Sequence, residues 1–245
     1  MGIDAISTEA MDMTGPVGPQ LLLALRRAII GNQLDPGMRI SEAEIGARFG
    51  LSRQPVREAF IKLAEEGLLE VRPQRGTFVR KVSVEAVMDA RFVREAVEAD
   101  IVKLCARHCP PEAIAELRRQ VEAQEHLAAQ ADSALTPQMN DTQRGTDFVA
   151  LDDLFHRSLA EAAGRPKAWA VIEGMKSQMD RVRQLAVAAT PLKPLIAQHR
   201  AVVDAIEARD PARAEAAMRG HLQMILTDLP TIRADYPQYF DGGEG

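Results

Sequence analysis

Apolar residues recur at spacings of three and four along most of this chain, the period of a helix with one buried face. Leu22, Leu25, Ile29 and Ile30 form the first such stripe and predict a helix from near Gln20 that ends before the turn Asp35-Pro36-Gly37. Ser41-Glu42-Ala43-Glu44 has the form of a capping box and starts a second, short helix that Phe49 and Gly50 close. Ser52 offers an N-cap for a third helix. Pro55 falls in its first turn, where amides lack intrahelical partners anyway, and Val56, Phe60, Leu63 and Ala64 make its buried stripe. Gly67 suits the left-handed residue after its last turn. The pattern then changes to short β-prone runs, Leu68 to Val71 and Thr77 to Val79, on either side of Pro73-Gln74-Arg75-Gly76, which reads as a hairpin with a basic tip. Three helices and a hairpin predict a winged helix-turn-helix.

From about Ser83 the helical period holds to the end, with breaks at Pro110-Pro111, at the polar stretch 132–146, at Gly164 to Pro166, at Pro191 to Pro194 and at Asp210-Pro211. The fold class expected is therefore mainly α: an N-terminal winged helix-turn-helix and a C-terminal all-α antiparallel bundle of six or seven helices. The expected division is a flexible tail over 1–18, a DNA-binding domain over 19–82, a helical effector-binding and dimerisation domain over 83–232, and a C-terminal tail over 233–245.

Composition agrees with helices: 46% of the residues are hydrophobic, only 4% aromatic. No apolar run is long enough to cross a bilayer, and the N-terminus carries no cationic segment followed by an apolar stretch. A soluble cytoplasmic protein is expected. Cys105 and Cys109, four apart in a helical pattern, favour two buried thiols over a disulfide, with a redox pair the lesser alternative. The net charge of −5 is unevenly divided: residues 20–81 carry 11 basic against 7 acidic side chains, and residues 82–245 carry 19 against 25. The N-terminal module can approach phosphates while the remainder discourages indiscriminate binding.

Arg53 and Arg57 are four apart and project from one side of the third helix, with Gln54 beside them. Guanidinium groups fork onto guanine or grip phosphate, and glutamine pairs with adenine. Ser52 and the free amides of the first turn suit a phosphate, and Arg75 and Gly76 at the hairpin tip suit the minor groove or backbone. Two arginines alone are better explained as solvated charges; the order of capping box, tight turn, polar first turn and basic hairpin is what favours double-stranded operator DNA. The stretch "LDPGMRISEAEIGARFGLSRQPVREAFIKLAEEGLLEVRPQRGTFV" resembles the winged helix of the GntR family of bacterial transcription regulators. Gln54 replaces a threonine common there, Ala43 stands where some members have a base-contacting arginine, and Phe60 stands for the usual leucine. By this resemblance Arg53, Gln54, Arg57 and Gly76 carry over as DNA-contacting.

Three of the five histidines share a pattern. Asp152 and His156 in "LDDLFHRSLAEAAG" are four apart on one helix face, and His199 and His221 each lie near the apolar face of another helix. Three helices can thus converge on one divalent ion, zinc first, with nickel or manganese as alternatives. Taken singly, each histidine reads better as a core or boundary residue than as a ligand. His108 and His126 fall outside the pattern, and Phe148, Phe155 and Trp169 read as core. Residues 84–230 resemble the FCD domain, the ligand-binding half of the FadR subfamily, through "VREAVE", the spacing of Asp152, Phe155 and His156, and "HRAVVDAIEARDPARAEAAMRGHL". The resemblance implies that Asp152, His156, His199 and His221 hold a metal at the floor of a cavity for a small organic acid. It also implies that Arg94 faces that cavity, and Arg181 and Arg183 are further candidates. An Arg94–Glu98 ion pair is the plain alternative for Arg94.

The function expected is a homodimeric, metabolite-responsive transcription regulator, a repressor, with a metal-dependent carboxylate site and no enzymatic activity. One rival is a DNA-binding dimer whose C-terminal domain is only structural; another is a metal-dependent hydrolase, against which stands the lack of an HExxH motif or an evident general base.

Overall fold

The computed structural model describes residues 3, 6, 15–131, 141–189 and 191–242. The winged module comprises α1 (Val17–Ile30), β1 (Arg39–Ile40), α2 (Glu42–Phe49), α3 (Arg53–Glu65), β2 (Leu69–Arg72) and β3 (Gly76–Val79). Its helices pack on Leu21, Leu25, Ile29, Val56, Phe60 and Leu63. The stripe on α1 centres one residue earlier than the sequence suggests, with Leu21 fully buried and Leu22 only partly. α1 also begins at Val17, inside the stretch expected to be a tail, and Ile6 is buried against the same core.

Half of the capping box forms: Ser41 Oγ accepts from the Glu44 amide at 3.1 Å, but the Glu44 carboxylate makes no return bond among the described residues. Ser52 differs. It occupies the N-cap position in extended backbone, but its exposed hydroxyl makes no capping hydrogen bond. Gly50 and Gly67 both take the left-handed conformation expected after α2 and α3. The two hairpin strands pair antiparallel from Leu69↔Val79 to Arg72↔Gly76. β1, which is too short to announce itself in the sequence, adds to the other side of β3 through Arg39↔Phe78 and Ile40↔Thr77. The sheet order is therefore β1-β3-β2.

The second module is built from α4 (Val84–His108), α5 (Pro111–Ala131), α6 (Asp141–Ala162), α7 (Pro166–Met175), α8 (Ser177–Ala189), α9 (Lys193–Glu207) and α10 (Pro211–Asp235), seven helices among the described residues. Part of the predicted break at 132–146 lies outside the described residues, and α6 already runs from Asp141. The breaks at Pro110-Pro111, Gly164 to Pro166, Pro191 to Pro194 and Asp210-Pro211 fall between helices. The one between α7 and α8 at Lys176 carries neither proline nor a left-handed glycine, and so leaves no mark in the sequence.

The core of this module joins α4, α5, α6, α9 and α10 through Val102, Cys105, Leu117, Phe155, Leu159, Val202 and Met218. Both cysteines are free and buried, and burial pushes the Cys105 thiol up to about 12, which suits packing and not redox exchange. The segment expected as a C-terminal tail folds back instead. After α10 a short 3-10 turn (Pro237–Tyr239) brings buried Phe240 beside Val82 in the connection between modules, where Asp241 N donates to Val82 O at 3.1 Å. Among the described residues no helix is long and apolar enough to span a membrane.

Candidate DNA-reading face and buried histidine centre

The N-terminal face follows from how α3 is anchored. Val56, Ala59, Phe60 and Leu63 turn one side of the helix into the core, which leaves Ser52, Arg53, Gln54 and Arg57 exposed on the other. Among the described residues Arg53 and Arg57 have no ion-pair partner, whereas Gln54 donates to Glu58 within its own helix at 2.8 Å. At the hairpin tip Arg75 N donates to Arg72 O at 3.0 Å, closing a turn with Pro73 and left-handed Gln74 at its centre. Arg75 is exposed. Gly76 has φ 109°, a backbone conformation that favours glycine, and the Arg39 side chain lies close by, 2.9 Å from where a Cβ would stand. The tip therefore presents Arg39 and Arg75 together, although only Arg75 was legible as a candidate.

The buried site is assembled from three helices. Asp152 and His156 lie one turn apart on α6, His199 sits mid-way along α9 and His221 mid-way along α10; their ligand atoms all fall within 4.8 Å of one another. His156 Nε2 is 3.1 Å from His221 Nε2, which is 3.4 Å from His199 Nε2. Asp152 completes the set at 3.2 Å from His199 Nε2 and 3.6 Å from His156 Nε2. Donor atoms each about 2.1 Å from one ion sit roughly 3.0 to 3.4 Å apart in tetrahedral or octahedral arrangement, so the spacing fits a single first-row cation.

The partners of the other ring nitrogens decide the tautomers. His199 Nδ1 lies 2.7 Å from Gln124 Oε1, His221 Nδ1 lies 3.1 Å from Gln198 Oε1, and His156 Nδ1 meets Glu98 Oε2. A glutamine or glutamate oxygen accepts only, so each Nδ1 is the donor and each Nε2 presents its lone pair inward. Three lone pairs facing one another at hydrogen-bond distance repel unless a cation lies between them. That is the donor chemistry of a metal centre with its supporting shell in place.

Electrostatics points the same way. Burial lowers His199 despite the neighbouring Asp152 carboxylate, and burial together with the other two histidines holds His221 well below its usual range, so both rings are neutral at pH 7, the state a metal ligand needs. Burial opposes the ionisation of Asp152, but the Arg183 guanidinium bonded to it and the adjacent histidines prevail and hold the carboxyl well below its normal value. Burial likewise opposes Glu98, which Arg94 and His156 nevertheless hold down to about 2. Arg183 also reaches Asp153 and Asp180 at 2.9 and 2.7 Å, and Lys176 Nζ bonds both of those carboxylates at 2.6 Å.

A cavity of about 170 Å³ opens beside the histidines, and Arg94, Asp152, Arg183 and His221 line it together with Asp228 and mainly apolar side chains. Arg94 satisfies both expectations at once, pairing with Glu98 at 2.6 Å while facing the cavity. Arg181 does not join it. Its guanidinium turns toward the winged module and donates to Arg80 O at 2.6 Å, because two residues along α8 are about half a helical turn, which puts Arg181 and Arg183 on nearly opposite faces. Phe155 stacks on the His199 ring at 4.5 Å and Phe148 lines the cavity, so two residues read as core also shape the site. Gln124, Gln198, Asp153 and Lys176 carried no sequence signal, and Glu98 was legible only as a partner for Arg94; the packing of different helices gives them their roles at the histidines.

Two family models match the chain. The model for bacterial regulatory proteins of the gntR family covers residues 20–79, and that for the FCD domain covers residues 89–224. The chain belongs to the GntR family of bacterial regulators, with an FCD domain. It is 36% identical over 231 residues to the HTH-type transcriptional repressor RspR of Escherichia coli (strain K12), covering 94% of this chain and 96% of that one. It is 32% identical over 198 residues to a "Probable D-xylose utilization operon transcriptional repressor" of Paenarthrobacter nicotinovorans, covering 81% and 82%. E. coli McbR/YncC shares the fold, with a TM-score of 0.71 at 19% identity over 91% of this chain and 99% of that one. This GntR-family chain is thus a DNA-binding, metabolite-responsive regulator whose two modules correspond to the two matched models.

Proposed function

We propose that this regulator is a homodimeric transcriptional repressor, and that its grip on an operator is set by a small organic acid held at a divalent-metal centre in the α4–α10 module. Asp152, His156, His199 and His221 would hold the ion, zinc first among the candidates and nickel or manganese after it. When bound, the ion supplies open coordination positions and positive charge for a carboxylate. Arg94 and Arg183 add guanidinium groups on the cavity wall. The observation that carries the metal reading is the orientation of the three Nε2 lone pairs by Gln124, Gln198 and Glu98. A hydrolase is disfavoured because the two carboxylates touching the histidines are committed, Asp152 to Arg183 and the ligand set, and Glu98 to Arg94 and His156. The repressor reading draws on the printed names of the two relatives.

α8 links the two functions. Its Arg183 lines the cavity and bonds Asp152, while from its first turns Ser177 Oγ donates to Glu66 O at 3.0 Å and Gln178 Nε2 to Gly67 O at 2.5 Å. Those carbonyls follow the end of the recognition helix α3. An acid that engages Arg183 in one position of α8 and not in another biases the position of α3, and operator DNA biases acid binding by the same factor. Purified, untagged chain is expected to contain about one divalent ion per protomer by elemental analysis. His199→Ala is expected to lose that ion and the response of operator affinity to carboxylates while keeping its helical circular dichroism. Retention of a full complement of metal by His199→Ala would refute the assignment.

A further inference from the structure

The effector cavity has two polar ends that differ in charge. His221, Leu222, Ile225 and Asp228 of α10 all line it, and the seven steps from His221 to Asp228 are about two helical turns, a rise of about 10 Å on one face. At the histidine end Arg94 is buried, with 1% of its surface exposed. Its Nε is engaged by Glu98, its Nη1 reaches only Met179 Sδ at 3.9 Å, and its Nη2 has no partner among the described residues. At the other end Asp228 is half-buried and has no hydrogen bond or ion pair among the described residues. Between them the walls are apolar, with Val149, Leu195, Leu222 and Ile225 facing the space.

We propose that Asp228 is a specificity-determining residue of this cavity, selecting a short monocarboxylate that carries a hydroxyl or ammonium group at its far end and rejecting dicarboxylates of the same length. The inference rests on the reading of the cavity as a carboxylate site. The ligand's carboxylate satisfies the free Arg94 Nη2, which is costly to leave buried without a partner, and its terminal donor meets the half-buried Asp228 carboxylate. Consistent with an acid that no cation or donor attends, burial raises the Asp228 carboxyl above its usual range. A second carboxylate on the ligand would meet Asp228 as a like charge. A chain hydroxylated throughout would set its middle hydroxyls against the apolar walls. Allowing for the reach of Arg94 and Asp228 themselves, a backbone of about four carbons spans the remaining part of the helical rise.

The test is calorimetric titration of the full chain and of Asp228→Asn with four probes of equal length: butanoate, γ-hydroxybutanoate, γ-aminobutanoate and succinate. The unaltered chain is expected to bind the hydroxy and amino acids about tenfold more tightly than butanoate or succinate. In Asp228→Asn the advantage of γ-aminobutanoate should vanish and succinate should gain about tenfold. Asp228→Ala, checked for an unchanged melting temperature without ligand, should give the same loss for the amino acid. Succinate binding the unaltered chain as tightly as γ-aminobutanoate, or an unchanged order of affinities in both variants, overturns the inference and leaves the carboxylate site standing. Failure of all four probes to bind overturns both.

Discussion

At the scale of single residues, the site depends on which atoms are left without partners. Arg53 and Arg57 are exposed and unpaired among the described residues, which is what a base-reading group requires, whereas Gln54 is held by Glu58 and must exchange that bond to reach a base. Arg57→Ala is expected to weaken operator binding by about 1–3 kcal/mol when titrated by fluorescence anisotropy at fixed salt, with relaxed discrimination at one base position. A uniform loss across operator variants would instead mean that Arg57 contacts phosphate. Gly76 is fixed by a different logic. Its φ of 109° is strained for any residue with a side chain, so Gly76→Ala is expected to destabilise the wing by about 1–3 kcal/mol in denaturant titration. The histidines illustrate the opposite case. Their ligand nitrogens face one another only because the rear nitrogens are tied down by Gln124, Gln198 and Glu98.

At the scale of elements, α8 is the one that touches both functions. Arg183, Asp180 and Lys176 belong to the ionic network around Asp152 and Asp153, while Ser177, Gln178 and Arg181 bond backbone carbonyls of the winged module. The seam on that second face is incompletely satisfied. Arg181 Nε and Nη2, Gln178 Oε1 and Asn32 Oδ1 are buried without partners among the described residues, although Asn32 Nδ2 donates to Arg181 O at 3.4 Å. Burial of this uncompensated charge lowers Arg181 to about 10. A joint with orphaned polar groups is held less firmly than one closed by apolar packing, which suits a contact that must shift. Gln178→Ala removes the bond to the end of α3, and the ratio of operator affinities measured with and without a bound carboxylate is expected to fall toward one, while operator affinity without carboxylate stays within about threefold. A full ratio in that variant would take α8 out of the coupling path.

At the scale of the whole molecule, an ion held at the proposed site would tie α6, α9 and α10 together as a cross-link within the bundle. Removing the ion leaves three inward lone pairs and the Asp152 carboxylate in a buried space, so chelation by EDTA is expected to lower the melting temperature of the chain, and addition of zinc to restore it. The size of the recovery should grow with free zinc concentration. A melting temperature indifferent to both treatments would leave the histidines as packing residues only.

The helical period, the caps and the breaks placed the winged module and most of the second bundle, because amphipathic stripes and glycine or proline at helix ends are local requirements that a chain must write into adjacent positions. For the same reason Arg53, Gln54, Arg57 and Arg75 were legible: they share one helix face or one turn. Asp152 and His156 were legible as a pair four apart, but nothing in the sequence relates them to Gln124, to Gln198 or to the cavity end at Asp228. Those relations cross from helix to helix, and only packing sets them. The packing of α8 likewise turned Arg183 to the cavity and Arg181 to the other module, a choice invisible in the sequence, where the two arginines stand only two residues apart. Periodicity records which side of an element is buried; it does not record what that side meets.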